Sequence, residues 1–182
     1  MKKAQETKQL MENVVIQLYN NENFCESRLL EAQKFYIEGE KRRLRFLSVE
    51  YHELIRYLTT SFFDVYGVHL NCEHKPQTYA TISSISDFFK KTLIFFEDNY
   101  DTLHEFANQL MPCLAYNYAC TLLKHCNMLS DIIVEYKRIV GDGDACNWNE
   151  SYIQRLLSKE QTYDNIHDKY EEKENSIGYK FH

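Results

Sequence analysis

Apolar side chains recur at intervals of three and four residues over most of the chain, and this periodicity restricts the fold more than any other feature. Such spacing places one apolar stripe along an α-helix, whereas a half-buried strand alternates every second residue. Only 5 Gly and 2 Pro occur in 182 residues, so few residues suit the turns that a many-stranded fold requires. We therefore predict an all-α fold, with residues 1–182 forming a single domain of a few long antiparallel helices.

Interruptions of the periodicity divide the chain into four predicted helices. These span residues 4–19, 24–66, 82–140 and 149–173. The first interruption is the polar run at residues 20–23, and the last is the Gly-Asp-Gly-Asp sequence at residues 141–144. Residues 67–81 contain Gly, Asn and Pro among hydrophilic side chains and are predicted to form a loop.

The third predicted helix, residues 82–140, contains Pro112. Apolar periodicity resumes directly after this proline, so we interpret it as a kink within one helix. A continuous helix of that length would extend about 88 Å, whereas a compact protein of this size has a radius of gyration of about 16 Å. The molecule is therefore elongated if Pro112 is a kink, and a compact bundle if Pro112 is a turn.

One apolar seam follows the first half of this helix, with an average spacing of about 3.5 residues if Thr92 and Asn99 fill the intervening positions. Such a seam is typical of a coiled-coil-like contact with another helix. We predict that its apolar members form a dimer interface: Ile85, Phe89, Phe96, Leu103, Phe106 and Leu110.

Charge and targeting signals limit the partners and the compartment. The net charge of −6 argues against binding to nucleic acid. The N-terminus lacks the apolar stretch of a signal peptide, and no apolar run approaches the roughly 20 residues that cross a bilayer. We therefore expect a cytoplasmic protein with reduced cysteines. One dense basic cluster could bind a phosphate or an acidic lipid headgroup at a membrane surface: Lys41, Arg42, Arg43 and Arg45.

Catalytic signatures are missing from the sequence, and we predict neither enzymatic activity nor a cofactor. A metal site is an alternative, because two Asp-x-x-His steps each place two ligands on one helix face. These steps pair Asp101 with His104 and Asp164 with His167. Combined with acidic residues on other helices, they could form the metal site of a ferritin-like bundle.

Several stretches carry a family resemblance. They include Glu31-Ala32-Gln33-Lys34-Phe35-Tyr36-Ile37, the run at residues 83–93, and Leu110-Met111-Pro112-Cys113-Leu114. With long helices, a loop after the first and a proline in the second, this pattern resembles the BAR domain family, in the branch attached to ankyrin-repeat ArfGAPs and oligophrenin-like RhoGAPs. The resemblance covers roughly residues 27–140. It implies an antiparallel homodimer that senses or generates membrane curvature through basic residues, or that serves as an adaptor or scaffold.

These observations together predict a non-enzymatic, BAR-like helical dimerisation module with protein partners and peripheral membrane contact. Two alternatives stay open at this point. One is the ferritin-like bundle with a carboxylate–histidine metal site. The other is a compact helical effector that acts through protein interactions.

Overall fold

The computed structural model describes residues 2–113 and 115–143, and within these ranges the chain forms four α-helices and one short 3₁₀ turn. The helices are α1 (Lys2–Lys34), α2 (Glu38–Tyr66), α3 (Ile85–Leu110) and α4 (Tyr116–Gly143), with the 3₁₀ turn at Met111–Cys113. No β-strand occurs within the described ranges, and the all-α prediction is confirmed. The predicted helix at residues 149–173 lies outside the described residues.

Helix α1 continues through the polar run at residues 20–23, where the sequence predicted a break. Asn21 is fully buried there. Its amide donates to Asn99 Oδ1 at 2.5 Å, and its own Oδ1 accepts from Gln17 at 3.0 Å. Because the buried amide has partners on its own helix and on α3, and because no Gly or Pro interrupts the run, the segment stays helical.

The first helix break falls instead at residues 35–37. Tyr36 adopts a left-handed conformation with φ of 56°. Its N–H donates to the Gln33 carbonyl at 3.2 Å, and the Ile37 N–H donates to the Ala32 carbonyl at 2.9 Å. These are the two hydrogen bonds of a Schellman motif, which ends α1 and turns the chain into α2. The two helices then pack side by side as the first hairpin.

Helices α3 and α4 form a second hairpin, so the interpretation of Pro112 as a kink is wrong and the alternative of a turn is right. Helix α3 begins after Ser84, whose hydroxyl accepts from the Asp87 N–H at 3.1 Å. It ends two residues before Pro112, which cannot donate a helical hydrogen bond. The return of α4 along α3 brings Lys137 Nζ to 2.7 Å from Glu97 Oε1.

The two hairpins combine into a four-helix bundle. Helix α1 lies against α3, where Phe24 stacks on an aromatic ring of α3. Helix α2 faces α4 in antiparallel orientation, with Ser61 beside Tyr118 near one end and Arg43 beside Glu135 near the other. It follows that α2 and α3 run in the same direction, so the chain must cross the length of the bundle between them.

Residues 67–84 make this crossover along α1, without helix or strand. The Asn71 N–H donates to the Glu12 carboxylate at 2.7 Å, and the Tyr79 hydroxyl donates to the Asn20 carbonyl at 2.8 Å. The crossover therefore runs alongside α1 and is held to it at several points. One long connection between two helical hairpins is the connectivity of ferritin-like bundles.

Candidate functional site

One side chain from each helix contributes to a buried polar layer about midway along the bundle, here called the central layer: Asn21, Tyr51, Asn99 and His125. None of the four is more than 4 % exposed. Asn99 accepts from Asn21 at 2.5 Å and donates to the Tyr51 hydroxyl at 2.9 Å. The His125 ring meets the Tyr51 ring with centroids 4.8 Å apart. The layer thus connects both hairpins at their centre.

Burial determines the protonation states in and around the central layer. It lowers the pKa of His125 to about 4, and the ring nitrogen Nε2 has no hydrogen-bond partner among the described residues. It also holds the pKa of Tyr51 well above its usual value. The thiols of Cys25 and Cys126 lie close to Tyr51, and burial raises the pKa of both, that of Cys126 to about 11. Near neutral pH the layer therefore offers no thiolate and only a weakly basic imidazole.

A second buried group, here called the ion cluster, lies nearer the start of α2 and consists of Glu40, Arg43, Glu135 and Tyr136. Arg43 is 2 % exposed. Its Nη1 lies 3.1 Å from Glu40 Oε1, and its Nη2 lies 2.8 Å from Glu135 Oε1. The Tyr136 hydroxyl donates to Glu40. Burial raises the pKa of Glu40, although the neighbouring Arg43 acts in the opposite direction. The ion cluster joins α2 to α4 and hence one hairpin to the other.

The structure divides the predicted basic cluster between the interior and the surface. Arg43 points into the ion cluster, so it does not belong to a basic surface. Lys41 is half-buried and lies 2.9 Å from Glu38. Arg42 and Arg45 are exposed. Three of the four predicted residues therefore remain accessible to an anion, and contact with an acidic lipid stays a prediction.

The predicted dimer seam is largely buried inside the chain's own bundle. Four of its members are at most 1 % exposed: Phe89, Phe96, Leu103 and Leu110. Phe106 is half-buried, and Ile85 is 36 % exposed. Thr92 and Asn99 are buried, as their seam positions predicted. Since Phe96 meets aromatic rings of α1 and α4, the seam contacts helices of the same chain and is not available to a second copy.

The described residues do not assemble the predicted carboxylate–histidine site. Leu103 faces the core, which turns Asp101 to the exposed surface and leaves His104 half-exposed. Asp164 and His167 lie outside the described residues. Within the described part of the chain, no three or more His, Cys, Asp and Glu side chains are grouped in a way that could hold a metal ion.

Six large apolar side chains are exposed towards one end of the bundle, where α2 ends and α4 begins. We call this surface the terminal patch, and its members are Tyr57, Phe63, Val65, Tyr66, Val68 and Tyr116. Their exposed fractions range from 38 % for Tyr66 to 67 % for Val65. The Tyr118 hydroxyl lies 3.2 Å from Ser61 Oγ, which places the start of α4 beside the end of α2.

Sequence reasoning placed Asn99 on the seam but did not identify the central layer, the ion cluster or the terminal patch. The signal for the central layer was present, since a polar residue at a seam position commonly fixes helix register. Glu40 and Arg43 share a helix face with the buried Leu44 and Leu47, which also indicated that they point inward. The terminal patch had no such signal, because periodicity predicts the buried face and not which apolar residues stay exposed at a bundle end.

No helix within the described ranges is both long enough and apolar enough to cross a bilayer. Comparison with models of protein families gives no match for this chain, and comparison with curated proteins gives none either. We therefore infer the function from the geometry of the described residues.

Proposed function

We propose that this chain is a non-enzymatic helical interaction module that associates with a second copy of itself through the terminal patch. The observation that carries the proposal is the exposure of six large apolar side chains, each at least 38 % exposed, towards the end of the bundle where α2 ends and α4 begins. Apolar surface concentrated at one end of a protein is typical of a binding site. We retain the predicted dimerisation but assign it to the terminal patch instead of the seam.

The chemistry of the terminal patch suits a protein–protein contact. Interface cores are enriched in Tyr and Phe and depleted in charged residues. The patch contains Tyr57, Tyr66, Tyr116 and Phe63, and Asp64 is the carboxylate within the same stretch of α2. Two copies related by a twofold axis would bring the same apolar side chains together. The net charge of −6 disfavours self-association through the more charged surfaces.

The position of the basic residues favours a protein partner over a membrane. Lys41, Arg42 and Arg45 lie near the start of α2, whereas the terminal patch lies near its end, about 30 Å away along the helix. A helix that binds a membrane surface usually presents basic and apolar residues along the same length. A membrane contact would therefore have to use either the basic residues or the terminal patch, and not both together.

The turn at Pro112 supports a compact bundle, which is the shape of both alternatives left open by the sequence. It folds α4 back along α3, so the chain does not form the long continuous helix of an elongated dimer. The adaptor or scaffold role implied by the resemblance to BAR domains is compatible with a compact dimer. That resemblance itself stays a prediction.

A double variant tests the terminal patch. Val65→Asp with Val68→Asp introduces two charges into the patch, and Leu30→Asp with Ile94→Asp introduces two charges at exposed apolar positions outside it. In sedimentation equilibrium we expect a wild-type dimer, dimerisation weakened about 100-fold or more by the patch variant, and no change in the control.

Other outcomes would reject the proposal. A wild-type chain that stays monomeric across the micromolar range would exclude the second copy as the partner. Equal weakening by both double variants would mean that added negative charge, and not the loss of the patch, opposes association.

Flotation with vesicles containing anionic lipid tests the membrane function. Binding that depends on Lys41, Arg42 and Arg45 but not on Val65 and Val68 would favour a membrane function over dimerisation.

A further inference from the structure

His125 occupies an unusual position for an ionisable side chain. It is the only buried histidine among the described residues, at 4 % exposure. It lies in the central layer, where α4 of the second hairpin meets Tyr51 of the first. Its Nε2 has no hydrogen-bond partner within the described ranges. A proton added to this ring would therefore place a charge at the junction of the two hairpins.

Within the described ranges, the surroundings of the ring provide no negative charge to balance that proton. The groups gathered around the contact between His125 and Tyr51 come from all four helices: Asn21, Cys25, Tyr51, Asn99 and Cys126. The amides do not ionise, and burial raises the pKa of Tyr51 and of both thiols, so all are neutral near pH 7. Burial is the cause of the low pKa of His125, and no carboxylate within the described ranges opposes it.

We propose that His125 is an acid-sensitive switch at the junction between the hairpins, and that protonation of its ring separates the hairpins while each keeps its helices. A buried imidazolium without a counter-charge must reach water, because an isolated buried charge is strongly disfavoured. The connections allow such a separation. Short connections between α1 and α2 and between α3 and α4 hold each hairpin together, whereas the long crossover at residues 67–84 joins one hairpin to the other.

The direction of the pH dependence follows from the two protonation states. In the open form the ring has its usual pKa of 6.5, whereas in the closed form the pKa is about 4. The closed form is therefore favoured most above pH 6.5, and it loses this advantage as the pH falls from 6.5 towards 4. The full change corresponds to about 300-fold in the opening equilibrium.

Glu40 acts in the opposite direction at the same junction. Burial raises its pKa, so its protonation on acidification favours the closed form. Arg43 and Glu135, which share the ion cluster with Glu40, are present in the wild type and in any His125 variant. The difference between the two proteins therefore isolates the contribution of the imidazole.

Thiol labelling measures the opening of the junction directly. Cys25 and Cys126 are buried on opposite hairpins beside the central layer, whereas Cys120 is exposed. Dithiodipyridine reacts with thiols in acid as well as at neutral pH, and mass spectrometry of the labelled peptides gives a rate for each cysteine. The ratio of the buried rates to the Cys120 rate corrects for the intrinsic pH dependence of the reagent. Far-UV circular dichroism follows the helices in the same samples.

In the wild type we expect this ratio to rise by up to about 100-fold between neutral pH and pH 4, with the helical signal retained. His125→Gln and His125→Phe should flatten the rise to less than about 10-fold, and either variant suffices if the other does not fold. The exposed control His52→Gln should behave as the wild type. A flat wild-type ratio, an equal rise in the His125 variants, or helix loss in step with labelling would each overturn the proposal.

Discussion

Arg43 is 2 % exposed and carries a full charge. The free energy of burying its guanidinium therefore depends on the protein groups that replace the water around it. Glu40 and Glu135 supply two carboxylates within 3.1 Å and 2.8 Å of the guanidinium. The attraction within such a buried cluster is largely offset by the cost of removing the charges from water. The cluster therefore contributes more to the choice of helix partners, α2 with α4, than to the net free energy of folding.

Removing Arg43 should be costly, because it leaves Glu40 buried without its cation. We expect Arg43→Met to lower the free energy of unfolding by about 3–5 kcal/mol. The neighbouring Arg42→Met replaces an exposed arginine and should change it by less than about 0.5 kcal/mol. Urea unfolding followed by circular dichroism measures both. A loss below about 1 kcal/mol for Arg43→Met would contradict the burial of the ion cluster.

Asn99 should be similarly sensitive, since it connects two helices of the first hairpin to α3. Asn99→Leu leaves the Asn21 amide without its buried acceptor, and we expect a loss of about 1–3 kcal/mol in the free energy of unfolding. The exposed Asn108→Leu is the matched control. Combining Asn99→Leu with Asn21→Leu should cost less than the sum of the two single changes, because both remove the same hydrogen bond. Strict additivity in urea unfolding would argue against that bond.

At the scale of helices and their ends, two residues with positive φ stop α1 and α2. Gly67 ends α2 with φ of 66°, and no atom of the described residues lies within 4 Å of where its Cβ would stand. Tyr36 ends α1 with φ of 56° and is 86 % exposed. The left-handed conformation costs a side-chain-bearing residue about 1–2 kcal/mol, a cost that glycine avoids.

Exchanging these residue types should change stability in opposite directions. Gly67→Ala should lower the free energy of unfolding by about 1 kcal/mol, because strain and not steric overlap opposes the Cβ. Tyr36→Gly should raise it by up to about 1 kcal/mol, since little packing is lost at so exposed a position. Thermal unfolding of the two variants beside the wild type measures the shifts. Shifts of the same sign would contradict the left-handed conformation at one of the two sites.

The helical secondary structure was predictable from the sequence, because the spacing of apolar side chains follows the period of the local backbone. The seam was predictable as well, down to the buried Thr92 and Asn99. The positions of the helix ends were harder to predict. The run at residues 20–23 looked like a break, but Asn21 contacts α3 there and the helix continues. The observed end at Tyr36 has no Gly in the left-handed position to indicate it. At residues 20–23, a tertiary hydrogen bond outweighed the low helix propensity of the polar run. At Tyr36, the chain accepts the conformational cost of a left-handed backbone.

For the whole molecule, the direction of the chain after Pro112 decides between a compact bundle and an elongated assembly. An apolar seam has the same composition whether its partner helix belongs to the same chain or to another copy. The sequence therefore left both arrangements open, and the seam was assigned to a dimer. In the structure the second hairpin closes on itself, and the buried aromatic residues of α3 contact α1 and α4.

A zero-length cross-link tests this closure in solution. Glu97 and Lys137 lie forty positions apart in sequence, with their charged atoms 2.7 Å apart across the second hairpin. In one continuous helix the same residues would be about 60 Å apart and could not be coupled within a chain. Carbodiimide treatment should therefore join Glu97 to Lys137 in a species of monomer mass. Glu97→Gln should abolish the linked peptide while leaving the helical signal unchanged.

The mass of the cross-linked species distinguishes the remaining arrangements. A peptide linked only in species of dimer mass would mean that α4 of one copy lies against α3 of another, as in an antiparallel assembly of continuous helices. The terminal patch could then no longer be assigned from a single chain, because the start of α4 would belong to the partner's bundle. A link at monomer mass instead shows that α4 returns along its own α3. In that case any dimer must form through surfaces that the closed bundle leaves exposed.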